Sequence, residues 1–204
     1  MILSIICLLG LLTCGTALAD IDLTIDNAYN GNITITVNSG GTTVDIEQVG
    51  QTTLTNVPIS ELITISQTNP SILENTIFVV GNNVLTADPI QIKIQNLRIG
   101  AINPAYPYTF YESPFALTNN ANVKLILGGD NNVLQGGTIA SGPGDGSGQA
   151  GLNVPAGSKI WITSEGTAQK KLTATGGRGS VGGAGMAVMA TITPTAALAK
   201  AAAL

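Results

Sequence analysis

Residues 150–185 read AGLNVPAGSKIWITSEGTAQKKLTATGGRGSVGGAG, and this stretch decides the fold. Three short runs, Leu152–Val154, Ile160–Ile162 and Leu172–Ala174, are separated by glycine-rich turns. Alternation of side-chain character at a period of two marks strands with one buried face. Repeated glycines mark tight corners at short intervals. Segments this short close no core alone, so they must stack on similar neighbours.

The same texture extends upstream. Ile21, Leu23 and Ile25 alternate with Asp22, Thr24 and Asp26, and Ile33, Ile35 and Val37 alternate with Thr34 and Thr36. Further runs follow at Val44–Ile46, Leu62–Ile65, Ile77–Val80, Ile90–Ile94 and Val123–Leu127. Turn signals such as Asn38-Ser39-Gly40-Gly41, Gly81-Asn82-Asn83 and Asn119-Asn120 divide them. Asn at corners tolerates left-handed backbone and can bond between stacked layers. Gly81-Asn82-Asn83-Val84-Leu85 returns as Asp130-Asn131-Asn132-Val133-Leu134, which reads as an internal echo. The expected fold is all-β, a right-handed parallel β-helix (solenoid); a β-sandwich, which also needs short strands and regular turns, is the alternative.

Three parts are expected. Residues 1–19 form an apolar run ending in Ala17-Leu18-Ala19, the pattern of a cleaved signal peptide, although no Lys or Arg precedes it. Leu11-Leu12-Thr13-Cys14 also has the look of a lipoprotein processing site, with Thr13 unusual before the cysteine. Residues 20–190 form the solenoid domain. Residues 191–204 form an Ala-rich tail whose Pro194 is a plausible start of a short C-terminal helix. The run at 1–19 is short for a membrane span, so none is expected after cleavage, and the protein is expected to be secreted or at the cell surface.

Composition excludes much chemistry. The chain has no histidine, and both cysteines, Cys7 and Cys14, lie in the leader. Residues 20–204 therefore offer no Ser-His-Asp or Cys-His catalysis and no histidine or cysteine zinc site. Eight basic residues stand against twelve acidic ones, with no basic cluster, which argues against nucleic acid as a partner. The carboxylates are scattered; Asp88 with Lys93 and Arg98 is the nearest charged group and reads as surface. No catalytic residue is assigned, and a non-enzyme is expected.

Several motifs carry a resemblance. Val123-Lys124-Leu125-Ile126-Leu127-Gly128-Gly129-Asp130-Asn131-Asn132-Val133-Leu134 resembles a rung of secreted bacterial β-helix proteins described as containing a carbohydrate-binding domain. Residues 150–158 resemble that family's next rung, and Leu172–Gly177 with Gly182–Gly185 its glycine-rich repeat end. Residues 75–80 and 92–99 also fit, so the likeness covers about residues 75–185. Met186-Ala187-Val188-Met189-Ala190 departs from the pattern. The resemblance implies a right-handed parallel β-helix of surface or adhesin type that binds glycans.

Two features stand out as candidate sites. Residues 103–114 gather Tyr106, Tyr108, Phe110 and Tyr111 between prolines, and aromatic rings stack on the apolar faces of sugars. The plainer reading is that these rings pack over the flank of the fold. Trp161 lies between Ile160 and Ile162, so it faces outward if they face the core. Calcium is the one cofactor the residues admit, through Asp130, Asn131, Asn132 and Asp145, though their spacing matches no EF-hand. The glycine-rich segment 136–151 lacks the Gly-Lys-Ser/Thr ending of a phosphate loop. The expected function is non-catalytic binding of polysaccharide or cell-surface glycan, or adhesion. A structural spacer in a larger surface protein is the alternative, and a calcium-dependent polysaccharide lyase stands behind both.

Overall fold

A computed structural model describes residues 20–26, 31–84, 86, 88–102, 112–137 and 148–177, together with the backbone of 189–192. Among these residues every regular element is a strand. They are β1 (Ile21–Thr24), β2 (Ile33–Val37), β3 (Thr43–Gln48), β4 (Leu54–Pro58), β5 (Leu62–Ser66), β6 (Ile77–Val80), β7 (Ile90–Gln95) and β8 (Arg98–Gly100). Then come β9 (Phe115–Thr118), β10 (Asn122–Gly128), β11 (Asn132–Gln135), β12 (Leu152–Asn153), β13 (Lys159–Ser164), β14 (Leu172–Thr175) and β15 (Met189–Ile192). The helix expected after Pro194 lies outside the described residues, and β15 runs across the position where the Ala-rich tail was expected to begin.

The strands form three sheets, ordered β1-β5-β7-β10-β13, β15-β14-β11-β8 and β12-β9-β6-β2-β3-β4. Pairing is parallel throughout the first sheet. In the other two it is parallel except where β15 joins β14 and where β2, β3 and β4 form a meander. From β7 onward the chain visits the five-, four- and six-stranded sheets in turn: β7, β8, β9, then β10, β11, β12, then β13, β14. The preceding pass is β5, a single bridge from Leu73 to Ile99, then β6.

Alternation becomes columns through this register. Ile21, Ile63, Ile92, Leu125 and Ile162 lie side by side across the five-stranded sheet, as do Leu23, Ile65, Ile94 and Leu127. Ile63, Ile92 and Leu125 are essentially inaccessible, whereas Ile21 and Ile162, at the two ends, are only partly covered. Each fully buried Ile or Leu contributes roughly 2 kcal/mol relative to exposure. Phe115, the largest fully buried side chain, fills the core from β9, beside Ile77 and Leu152 in register.

Uncharged amides hold the corners. Asn82, Asn83, Asn119 and Asn120 all adopt left-handed backbone, φ between 51 and 62°, at the turns leading into β7 and β10. The two turns are stitched together by Asn83 N–H donating to the Asn119 carbonyl at 2.8 Å and Asn120 Nδ2 donating to Asn83 Oδ1 at 3.1 Å. At the next turn Gly157 (φ +87°) occupies the corner, where a Cβ would collide with the Asn120 amide.

The echo between Gly81–Leu85 and Asp130–Leu134 is not a structural repeat, which corrects the sequence reading. Asn82 and Asn83 turn the chain from the six-stranded into the five-stranded sheet, whereas Asn132 opens β11 at the turn from the five- into the four-stranded sheet. Asn132 is 1 % exposed. Its Oδ1 accepts from Leu97 N–H at 3.0 Å, and its Nδ2 donates to the carbonyls of Gly128 (2.9 Å) and Lys171 (3.3 Å), so one amide ties three successive passes. Gln67 serves the preceding pass: its Oε1 accepts from Arg98 N–H, and its Nε2 donates to the Asn69 and Ser71 carbonyls, all at 2.7 Å.

The β2–β4 meander has its own polar lock. At the irregularity between Val44 and Ile46, Asp45 Oδ1 accepts from Asn38 Nδ2 (3.0 Å) and from Asn56 N–H (2.8 Å). Hydrogen bonding by the Asn38 amide, then by the Asn56 backbone, holds the Asp45 carboxyl below its ordinary value, against a smaller opposing push from desolvation.

Two outcomes follow. Asn132→Ala strands two buried backbone groups, the Leu97 N–H and the Gly128 carbonyl, and should cost about 2 kcal/mol in urea unfolding, while Asp130→Ala nearby should cost far less. Because the Asp45 pKa is depressed, its contribution is complete above the unfolded carboxyl pKa of about 3.9 and disappears as pH falls through the lower folded value. Protection of the amides of β3 and β4, taken relative to the intrinsic exchange rate at each pH, should therefore fall in acid, and Asp45→Asn should remove that loss of protection.

Candidate functional site

Outward residues of the five-stranded sheet form columns of their own. Leu62, Gln91, Lys124 and Trp161 lie side by side in one, and Thr64, Lys93, Ile126 and Thr163 in the next. Trp161, on the last strand of the sheet, is 50 % exposed, while its neighbours Ile160 and Ile162 pack against the core. Strand alternation thus places the indole outward, as the sequence order requires.

Next to Trp161 the same face opens into a hollow lined by amides together with Val84, Thr86 and Lys159. Asn122 and Lys159 are register partners, two residues before Lys124 and Trp161 respectively, and so project from the same side of the sheet. With Asn83, Thr86, Asn120 and Gly157 they line a hollow of about 200 Å³ at the corner entering the sheet. The indole is therefore only about 7 Å of strand from Lys159 at its rim.

Two buried polar atoms here lack an internal hydrogen-bond partner, Asn122 Oδ1 and Ser158 Oγ, the latter between Gly157 and Lys159. Asn122 Nδ2 reaches Thr86 Oγ1 at a long 3.4 Å. An unpaired buried polar atom costs free energy.

Charge on this face is uneven. Lys93 pairs with Glu165 at 3.3 Å, and Lys170 with Asp130 at 2.8 Å. Lys124 and Lys159, which flank Trp161, have no ion-pair partner among the described residues. The arrangement offers an aromatic platform, two ammonium groups and a row of amides with spare bonding capacity.

A larger hollow, about 390 Å³, lies at the opposite end of the sheet between β1 and the meander, bordered by Asp22, Thr24, Gln48 and Leu54. No aromatic ring borders it among the described residues. A third, about 270 Å³, borders Gln67, Asn96, Arg98 and Asn131.

The other sequence candidates fall differently. Tyr106, Tyr108, Phe110 and Tyr111 lie outside the described residues, as does Asp145. Of the calcium candidates, Asn132 commits its amide to backbone groups and Asp130 is engaged by Lys170. No cluster of three or more acidic or metal-ligating side chains forms among the described residues. Asp88, Lys93 and Arg98 form no group either: Lys93 and Arg98 belong to different sheets. Asn122, Lys124 and Lys159 were overlooked in sequence; strict alternation in Asn122–Leu127 and Lys159–Ile162 makes them outward, but only lateral register sets them beside Trp161.

Compared with known families, curated proteins and solved structures, the chain matches none. Function therefore rests on the site itself. Trp161 is the chain's single tryptophan, so intrinsic fluorescence reports this position alone. Its emission should be red-shifted and readily quenched by acrylamide in the native protein; a blue, protected emission would mean the indole is buried.

Proposed function

We propose that the chain is a three-faced, right-handed parallel β-helix of the secreted or cell-surface kind, and that it binds polysaccharide without catalysis. Three observations support the fold reading: predominantly parallel pairing, the recurring order of sheets along the chain, and inward aliphatic columns. A sandwich of antiparallel sheets accounts for none of them together.

The observation that carries the function is the half-exposed Trp161 beside the amide-lined hollow. A sugar ring places its apolar C–H face on the indole, while its hydroxyls bond to polar groups around it. The amides of Asn83, Asn120 and Asn122 line the hollow beside it, and Lys159 and Lys124 supply donors. Two ammonium groups uncompensated among the described residues favour sugars bearing carboxylates over neutral ones. The ligand class is thus an acidic polysaccharide lying across β10 and β13. Surface adhesion through such a glycan is the corresponding role.

Co-sedimentation and affinity electrophoresis with alginate, polygalacturonate, cellulose and chitin test this. Retention is expected on the two acidic polymers, with a shift of Trp161 emission on binding. Trp161→Ala should abolish retention, and Asn122→Ala should weaken it about tenfold, the effect of losing roughly 1.4 kcal/mol. Retention on none of these polymers, or retention unaffected by Trp161→Ala, would contradict the reading and leave a structural spacer as the better account.

A further inference from the structure

Where the chain leaves the five-stranded sheet for the four-stranded one, three successive corners lie side by side. They follow Ser66, Gln95 and Gly128, which are register partners across β5, β7 and β10. The hollow of about 270 Å³ sits against these corners, and its border includes Thr68, Asn69, Asn96, Arg98 and Asn131. No carboxylate borders it among the described residues.

The polar groups here are weighted toward donors. Arg98, half-buried on β8, makes no side-chain hydrogen bond or ion pair among the described residues, and its Nε is buried without a partner. Asn69 Oδ1 accepts from Ser71 N–H at 2.9 Å, and Asn96 Oδ1 accepts from Asp130 N–H at 3.2 Å. A backbone N–H only donates, so both amides are fixed with oxygen toward the backbone. Each Nδ2 is then left as a donor with no partner among the described residues. The Gln67 amide is committed on both sides to backbone groups. The carboxylates of the adjoining chain are engaged too. Asp26 Oδ1 accepts from Thr68 N–H (3.2 Å) and Oγ1 (2.6 Å), and Asp130 pairs with Lys170 at 2.8 Å.

We infer that this hollow binds a tetrahedral oxyanion, a phosphate or sulfate group, with Arg98 as its counter-charge. A guanidinium drawn partly out of water without a partner costs free energy that a bound anion recovers. The fork of Arg98 alone satisfies the two oxygens of a flat carboxylate. A tetrahedral group keeps further oxygens for donors on other sides. Asn69 supplies one from the preceding pass and Asn96 another from the pass of Arg98 itself, the passes lying about 4.8 Å apart. Arg98 Nε is itself enclosed, so the terminal nitrogens are the ones that meet the anion. The site is separate from Trp161, and the inference does not depend on glycan binding.

Nitrogen-15 NMR of the full chain at low salt tests it, following the Arg98 Nε–H signal, identified by its loss in Arg98→Gln. Inorganic phosphate and inorganic sulfate should each move that signal and the Asn69 and Asn96 side-chain amide signals saturably, with one shared affinity. Acetate at equal ionic strength should bind about tenfold more weakly. Asn69→Asp and Asn96→Asp keep the oxygen that accepts from the backbone and replace the free donor by a negative charge. Each should weaken phosphate binding tenfold or more while leaving circular dichroism unchanged. Tighter binding of methyl phosphate than of inorganic phosphate supports an ester on a larger molecule, and the reverse supports the free ion. Shifts that are absent or fail to saturate, acetate binding as tightly as phosphate, or affinity unchanged in both Asn→Asp variants would overturn the inference.

Discussion

Lateral register between parallel strands is the constraint on which the rest of this structure depends. With a side-chain period of two, a slip of one residue would turn Ile63, Ile92 and Leu125 to solvent and bring Thr64, Lys93 and Ile126 inward. The aliphatic columns therefore fix the pairing, and the pairing fixes everything outside it. The corners must meet in space and outward residues must line up.

The corners explain the composition. A chain that repeatedly turns between sheets produces many backbone groups outside ladders, and these must be satisfied where they are buried. Asn132 and Gln67 do this with amides, which offer donor and acceptor at one position and incur no penalty for burying charge. The same economy of charge leaves Lys124 and Lys159 conspicuous beside Trp161. The proposed glycan reading rests on these two ammonium groups, the indole and the amides around them.

Much of this was legible in the residues. Period-two alternation located most of the strands, Asn-Asn pairs located left-handed corners at 82–83 and 119–120, and the Ile-Trp-Ile order placed Trp161 outward. What could not be read was which strands are neighbours. Val123 lies between Ile90 and Ile160 at unequal sequence spacings, because the loops inserted in each pass differ in length. No fixed period therefore exists to be found, and the one echo that presents itself, Asn-Asn-Val-Leu, joins two different corners. The columns Asn122–Lys159 and Lys124–Trp161 became visible only with register in hand.

The most direct test of the register is chemical. In a Cys7→Ser/Cys14→Ser background, Gln91→Cys with Lys124→Cys places two thiols on adjacent parallel strands, about 4.8 Å apart at Cα, within disulfide range. Gln91→Cys with Ile126→Cys displaces one of them by a step along the strand, to about 8 Å, beyond that range. Mild oxidation of the folded protein should cross-link the first pair and not the second. Equal cross-linking of both pairs, or of the second alone, would contradict the register from which the core, the corners and the site all follow.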